Sequence, residues 1–488
     1  MTRHLITSAL PYINGTKHLG NLVGSMLPAD VYARYLRLRG EEVLFLCATD
    51  EHGTPAELAA KAAGLPVDTY CARQHDAQKA IYAGFDLSFD HFGRSSSTQN
   101  TEITQHFARC LHDQGFIEQR AVDETAHLFL LQSKLQHEIE EFAHTWLVEG
   151  LPDRAITLDL DWGVPVPADI WPELAADGKV FHGAFDAPIE YIGATKEWAE
   201  RAPADRDWES WWYDAEDVRY TQFMGKDNLP THAVMFPAIQ LGTGEPWKTV
   251  DFLKAFGGLK CRVSADTALE VLPADYWRYY LMATVPESDD SSFTWEHFAA
   301  TVNKDLADTL GNFVHRVLSF SRKSFGDAVP GGGAPGAAEE RLGAEIAAGL
   351  AEYEEHLEAL RFRKATAALR ALWSAGNAYV DQKAPWREIR TDPEAAAVTL
   401  RTAMMLIELY GRVCEPVVPA TARSLAAVFG SGRTSGWPTA VEARALNSLP
   451  PGTEFSVPPV LFSKVGRQPT VSSLATLGTP WEFRANSM

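Results

Sequence analysis

The chain has 488 residues, 46% of them hydrophobic, and a formal charge of -20 from 64 acidic and 44 basic side chains. That is enough to bury a large core and to divide into two or three domains. The acidic excess excludes a broad phosphate-gripping surface, although a local basic patch that holds splayed-out bases remains compatible with it.

In chain order, Leu5 to Leu10 reads as a short buried strand, Pro11 to Lys17 as a turn and Leu22 onward as a helix. His18, Gly20 and Asn21 then fall at a helix N-terminus. Unpaired amides and the positive end of the dipole favour an anion there, so a triphosphate would sit on them. A polar turn capped by a histidine is the plain alternative. Helical Asp30 to Leu38 and strand-like Val43 to Cys47 give residues 1–115 the rhythm of a doubly wound parallel sheet.

Residues 116–178 read as an insertion, helical near Ser133 to Thr145 and strand-like from Ala155 to Leu160. The sheet resumes over 179–300. A helical region over 301–430 follows, built from an amphipathic helix over Val302 to Phe325 and patterns over Ala337 to Lys383 and Pro393 to Val413. The Gly/Pro/Ala stretch Gly326 to Ala338 reads as a flexible connection, and 431–488 as a turn-rich tail. Five scattered cysteines, without a CxxC pair, argue for reduced thiols and no metal site. No apolar run nears the ~20 residues needed to cross a bilayer, and no leader pattern opens the chain, so a cytoplasmic protein with no membrane association is expected.

Ala9-Leu10-Pro11-Tyr12, His18-Leu19-Gly20-Asn21, Ala48-Thr49-Asp50-Glu51-His52-Gly53-Thr54-Pro55, Phe185-Asp186-Ala187-Pro188-Ile189 and Gly225-Lys226-Asp227 occur in the order found in methionyl-tRNA synthetases. From Arg3 to about Phe429 the chain resembles that class I family. The resemblance implies an α/β protein: a Rossmann-like catalytic domain with a connective insertion, then an all-α anticodon-binding-type bundle. Its implied chemistry joins ATP, with Mg2+, to an amino acid as an aminoacyl adenylate. By resemblance ATP meets His18, Gly20, Asn21, Gly225, Lys226 and Asp227. The amino acid meets Leu10, Tyr12, Asp50, Ala187, Pro188, Tyr191 and His232. Asp50 at a strand end would pair with the α-ammonium; simple turn capping by Asp50 and His52 is the alternative.

Several departures stand out. Where the family has Tyr-Val-Trp, this chain has His182-Gly183-Ala184, and Ala184 opens a wall worth ~150–250 Å² of aromatic contact. Glu190 replaces a glycine; pointing inward it would favour a cationic or hydroxyl-bearing ligand, and pointing outward it would be solvated. The family's two-lysine loop reads Phe256 to Asp266 here, about six residues shorter, a change that a surface loop absorbs. Lys260 and Arg262 stand nearest its lysines and, with His18, are the candidate catalytic groups.

On the acceptor side, Gly115 to Arg120 runs almost directly into His127 to Leu131, without the family's zinc knuckle, and Leu158 stands where an arginine is usual. In the bundle, Asn312 and Arg316 share a helix face and Trp386 would stack on an unpaired base, a contact worth roughly 1–3 kcal/mol; bracing of the helix is the alternative.

The shortened lysine loop, the missing knuckle and the opened pocket favour an enzyme of specialised metabolism. It would activate an amino acid and pass it to a small or protein-bound acceptor other than tRNA, such as an N-hydroxylated amine as in hydrazine synthesis, with a separate cupin-type metalloprotein as partner. A divergent synthetase that charges tRNA and a non-catalytic amino-acid- or partner-binding paralogue are the rivals. The amino acid, the acceptor and the oligomeric state are not legible.

Overall fold

The computed structural model describes residues 2–15, 17–122, 125–131, 152–430 and 436–466; the helix expected near Ser133 to Thr145 lies outside them. Strands β1 (Arg3–Ser8), β2 (Glu42–Thr49), β3 (His91–Arg94), β4 (Val218–Gly225) and β5 (Phe252–Phe256) pair in parallel in the order β5-β4-β1-β2-β3. Five consecutive side chains of β1 are buried, as both faces of a parallel sheet require. The chain steps outward from β1 to β3 and returns on the other side of β1. The order therefore reverses between β1 and β4, and the crevice beyond their C-terminal ends is where such sheets take ligands.

The chain divides into two compact units. The first holds Met1–Asp266, Val285–Ser291 and Leu360–Phe362; the second holds Thr267–Thr284, Ser292–Ala359 and Arg363–Met488. In the first, helical backbone starts at Leu19, runs through a π-type turn at Leu22–Met26 and continues as α1 (Leu27–Leu38). Helices α2 (Thr98–Asp113), started by the Ser97 hydroxyl accepting from Asn100 N–H at 3.0 Å, and α3 (Glu190–Glu200) follow. Leu5, Leu44, Leu46, Phe107, Trp212 and Tyr220 are at the heart of its core. The expected strand over Ala155 to Leu160 is split into Arg154–Ala155, paired with the strand Thr125–Leu130, and Thr157–Leu158, paired with Val180–Phe181; beyond it Trp162 N–H donates to Glu57 at 3.0 Å.

The second unit is helical. The helix read from Val302 begins at Trp295, because the Thr294 hydroxyl caps it by accepting from His297 N–H at 3.2 Å; it passes through π-type turns into α4 (Asn312–Phe325). The pattern over Ala337 to Lys383 is two helices, α5 (Ala337–Glu358) and α6 (Phe362–Lys383), broken at Leu360, whose φ of 52° is left-handed. Helix α7 (Pro393–Val413) follows as read. The Gly/Pro/Ala connection has anchor points that its composition does not announce: the buried Arg401 guanidinium donates to the carbonyls of Gly331 and Gly333, and Val329 N–H donates to Thr453 O at 2.8 Å. Among the described residues no helix is long and apolar enough to cross a membrane.

Candidate active site

Past β1 and β2 the two backbones stay paired: Asp50 N–H donates to Pro11 O at 3.0 Å and Ile13 N–H to Asp50 O at 2.9 Å. This fixes Asp50 on the wall of a cavity of about 350 Å³, which Leu10, Tyr12, Ala184, Ala187, Pro188 and His232 also line. Asp50 Oδ1 is buried with no hydrogen-bond partner. Burial, reinforced by Asp186, pushes the carboxyl up to about 8. An α-ammonium placed here would supply both the missing donor and the countercharge.

Of the residues after Asp50, Glu51 turns into the core, while His52 and Gly53 line the cavity with it. Glu51 is fully buried and takes two Arg94 bonds at 2.9 Å, the Ser96 hydroxyl at 2.6 Å and the Thr49 hydroxyl at 2.8 Å. His52 Nδ1 lies 2.5 Å from Asp186 Oδ2, so the two signature strings are joined by one buried pair. Burial alone would lower the imidazole pKa, but the charge and hydrogen bond of Asp186 outweigh it and the pKa is raised. The Tyr12 hydroxyl donates to His52 O at 2.8 Å, and the Trp162 indole N–H to Glu51 O at 3.0 Å. Gly53 adopts φ +110°, and a Cβ there would lie 3.1 Å from the Tyr12 hydroxyl. His52 therefore does more than cap a turn. Glu51, Arg94, Asp186 and Trp162 were missed as site residues by sequence reasoning; the acidic residues next to Asp50 and inside Phe185–Ile189 were the available signal.

His232 Nδ1 donates to Asn228 O at 3.0 Å, which leaves Nε2 to accept from the buried Tyr191 hydroxyl at 2.9 Å. Burial pushes His232 down to about 4, so the ring is neutral. Tyr191 thus stands behind the cavity wall and orients His232. Glu190 fits neither expectation, because it reaches neither the cavity nor solvent. Its carboxyl is wedged where Cβ atoms on Gly93 or Gly193 would come within 2.8 and 2.7 Å of its oxygens, both of which lack partners. Burial, then Glu197, holds it well above the usual carboxylate range and protonated.

A second cavity, of about 320 Å³, adjoins the first. It is lined by His18, Gly20, Asn21, Gly225, Lys226 and Asp227, and shares Ala9, Leu10, Tyr12 and Asn228 with the first. His18 caps the helix: its Nδ1 accepts from Gly20 N–H at 3.0 Å, and its own N–H donates to Asn21 Oδ1 at 3.1 Å. Burial and Lys17 lower the His18 pKa, leaving a neutral ring with its proton on Nε2, available to a phosphate oxygen. A Cβ on Gly20 would come within 2.8 Å of the His18 ring and 2.9 Å of Leu259 O.

The shortened loop is stitched to this segment, Leu19 N–H donating to Val263 O at 3.2 Å and Ala265 N–H to Lys17 O at 2.8 Å. Lys260 and Arg262 are exposed and are not among the residues lining the cavity, since this pairing turns them to the outside. The lysine on the wall is Lys226. Asp290 Oδ1 accepts from it at 2.9 Å and from Gly258 N–H at 2.9 Å. In the second unit, the Arg316 guanidinium lies 5.1 Å from the centre of the Trp386 ring and donates to Asp381 at 2.7 Å, with Asn312 exposed on the same helix.

A family model described as tRNA synthetases class I (M) matches residues 4–129 and 122–318, and one for the anticodon binding domain of methionyl tRNA ligase matches 329–472. The methionine–tRNA ligase of Streptomyces avermitilis is 59% identical, over 95% of this chain and 97% of that protein. Those of Cereibacter sphaeroides and Caulobacter vibrioides are 48% and 47% identical over the same shares. A structure of Mycobacterium tuberculosis methionyl-tRNA synthetase in complex with methionyl-adenylate, 24% identical, shares the fold at a TM-score of 0.82 over 95% of this chain and 100% of that one. Relatives this similar over nearly the whole chain carry the name of tRNA ligases. They overturn the expected transfer to a non-tRNA acceptor, and with it the N-hydroxylated amine, the cupin partner and the place in specialised metabolism. Two of the losses behind that expectation fall in a surface loop and an insertion, where changes leave a sheet and its cavities standing, while the third, at Ala184, lies on the wall of the first cavity.

Proposed function

The chain belongs to the methionyl-tRNA synthetase family of class I, ATP-dependent ligases, and on that premise we propose that it activates methionine and transfers it to methionine tRNA. The observation that carries this reading is the shared wall of the two cavities at the point where the sheet order reverses. Methionine in the first cavity sets its α-ammonium on Asp50. Its carboxylate then faces the second cavity, where the triphosphate lies against the helix N-terminus, the His18 Nε2–H and Lys226. One carboxylate oxygen attacks the α-phosphorus and the bond to the bridging oxygen breaks, giving methionyl-adenylate and pyrophosphate. A terminal ribose hydroxyl of tRNA then attacks the acyl carbon, forming the ester and releasing AMP.

Mg2+ would arrive on the triphosphate, and Asp227 is a carboxylate on that wall. Burial of Asp50 and its proximity to Asp186 favour its protonated form before methionine arrives, so the ammonium docks as that proton leaves and the two charges pair. In the bundle, Arg316 lies against Trp386, and an anticodon base would stack on the indole.

The test pairs ATP–pyrophosphate exchange with charging of methionine tRNA by labelled methionine. Methionine-dependent exchange together with an aminoacyl ester on the tRNA is expected. Exchange that never leads to charged tRNA would overturn the reading.

A further inference from the structure

Outside both cavities, α2 and the turn at Glu245 bring three unlike ligands together. His106 and Cys110 lie one turn apart on α2, and their ligand atoms and a Glu245 oxygen all lie within 4.8 Å of one another. We propose that His106, Cys110 and Glu245 bind one borderline transition-metal ion, with Zn2+ the best match.

The geometry is close to what such an ion needs. With Zn–S near 2.3 Å and Zn–N near 2.0–2.1 Å, tetrahedral bonding separates sulfur and nitrogen by about 3.5 Å. Cys110 Sγ and His106 Nε2 are 3.6 Å apart. His106 Nε2 and Glu245 Oε2 are hydrogen-bonded at 2.7 Å, and the flexible Glu245 side chain must back away by only a fraction of an ångström. The carboxylate is already aimed: the Trp247 indole N–H donates to Oε2 at 2.9 Å, and Glu245 N–H donates to the Thr243 hydroxyl at 3.1 Å. Such outer bonds orient metal ligands. Gly244, at φ +72°, makes the turn, and a Cβ on it would lie 3.1 Å from Gln114 Nε2 just beyond the end of α2.

The donor set gives the choice of ion. One sulfur, one imidazole and one carboxylate suit Zn2+ or Co2+ far better than Mg2+ or Ca2+, which seek oxygen alone. The His106 side chain is 43% exposed, so the fourth position opens to water. Coordination takes the proton from the Cys110 thiol and needs the Nε2 lone pair of His106, with that ring's proton on Nδ1. Because the ligands must be deprotonated, binding strengthens as pH rises. Bound metal would tie α2 to the turn that follows the helix Phe236–Gly242.

Full-length protein stripped by a chelator and titrated with Co2+ tests this. The expected result is one equivalent bound, displaced by Zn2+, with a thiolate-to-cobalt charge-transfer band. Cys110→Ser should abolish the band, Cys261→Ser should keep it, and His106→Ala should weaken binding at least tenfold. Absence of saturable one-equivalent binding, or a band that survives in Cys110→Ser, overturns the proposal. Because methionine-dependent exchange is measured separately, failure here leaves the catalytic reading untouched.

Discussion

The two ends of the crevice are built on opposite terms. At the amino-acid end every charged group next to Asp50 is buried and paired, Glu51 with Arg94 and His52 with Asp186. At the phosphate end the cations stand exposed, and Lys226 is held only at its tip by an exposed Asp290. A buried network cannot lose one member without stranding another charge, whereas an exposed rim can be shortened or recharged at little cost to the fold. The string that carries Asp50, Glu51 and His52 belongs to such a network, whereas the shortened lysine loop lies on the exposed rim.

The sharpest way to break the contrast is Asp186→Ala, which leaves His52 buried without its partner. Denaturant unfolding should show a loss of about 3–5 kcal/mol. His52 is held above its ordinary 6.5, so its contribution to stability is complete below that pH and lost as pH rises through the raised value; Asp186→Ala should remove this pH dependence.

Asp50→Asn should leave stability nearly intact yet lower kcat/KM for methionine in pyrophosphate exchange by on the order of 10²–10³-fold, the usual cost of truncating a buried charge partner. The same carboxyl predicts a pH profile. With its pKa near 8 in the empty site, methionine affinity measured by calorimetry should rise about tenfold per pH unit below 8 and then level off. A flat profile would mean that Asp50 is already ionised when empty.

At the rim, Lys226→Ala should raise KM for ATP several-fold in the same exchange assay while leaving KM for methionine unchanged. Arg262→Ala should have the smallest effect, within about twofold on exchange, as expected for an exposed side chain outside the cavity lining. A loss of several orders of magnitude would instead bring Arg262 onto the triphosphate during turnover and erase the contrast.

The sequence made the sheet and the cavity linings legible because contiguous strings at strand ends carry them: Asp50 follows β2, and Gly225 to Asp227 follows β4. It left out what depends on distant pairing. Asp186 meets His52 across 134 residues, and Arg401 grips the glycine-rich connection across about 70, so neither contact leaves a local signature. Glu190 was misread because a carboxyl was expected either to meet ligand or water, whereas a protonated one can lie in the space that glycines at 93 and 193 leave free. The left-handed Leu360 has no glycine to announce it, and so two helices read as one.

Asp290 accepts at once from the Lys226 ammonium and from the backbone N–H of Gly258, two donors on the wall of the second cavity that a phosphate would have to take from it. The rim therefore carries a built-in competitor. An arriving nucleotide exchanges one negative group for another instead of neutralising a bare cation, which should make ATP affinity less sensitive to ionic strength than an empty lysine site would be. Departing pyrophosphate would leave the crevice with its internal anion ready to resume its place.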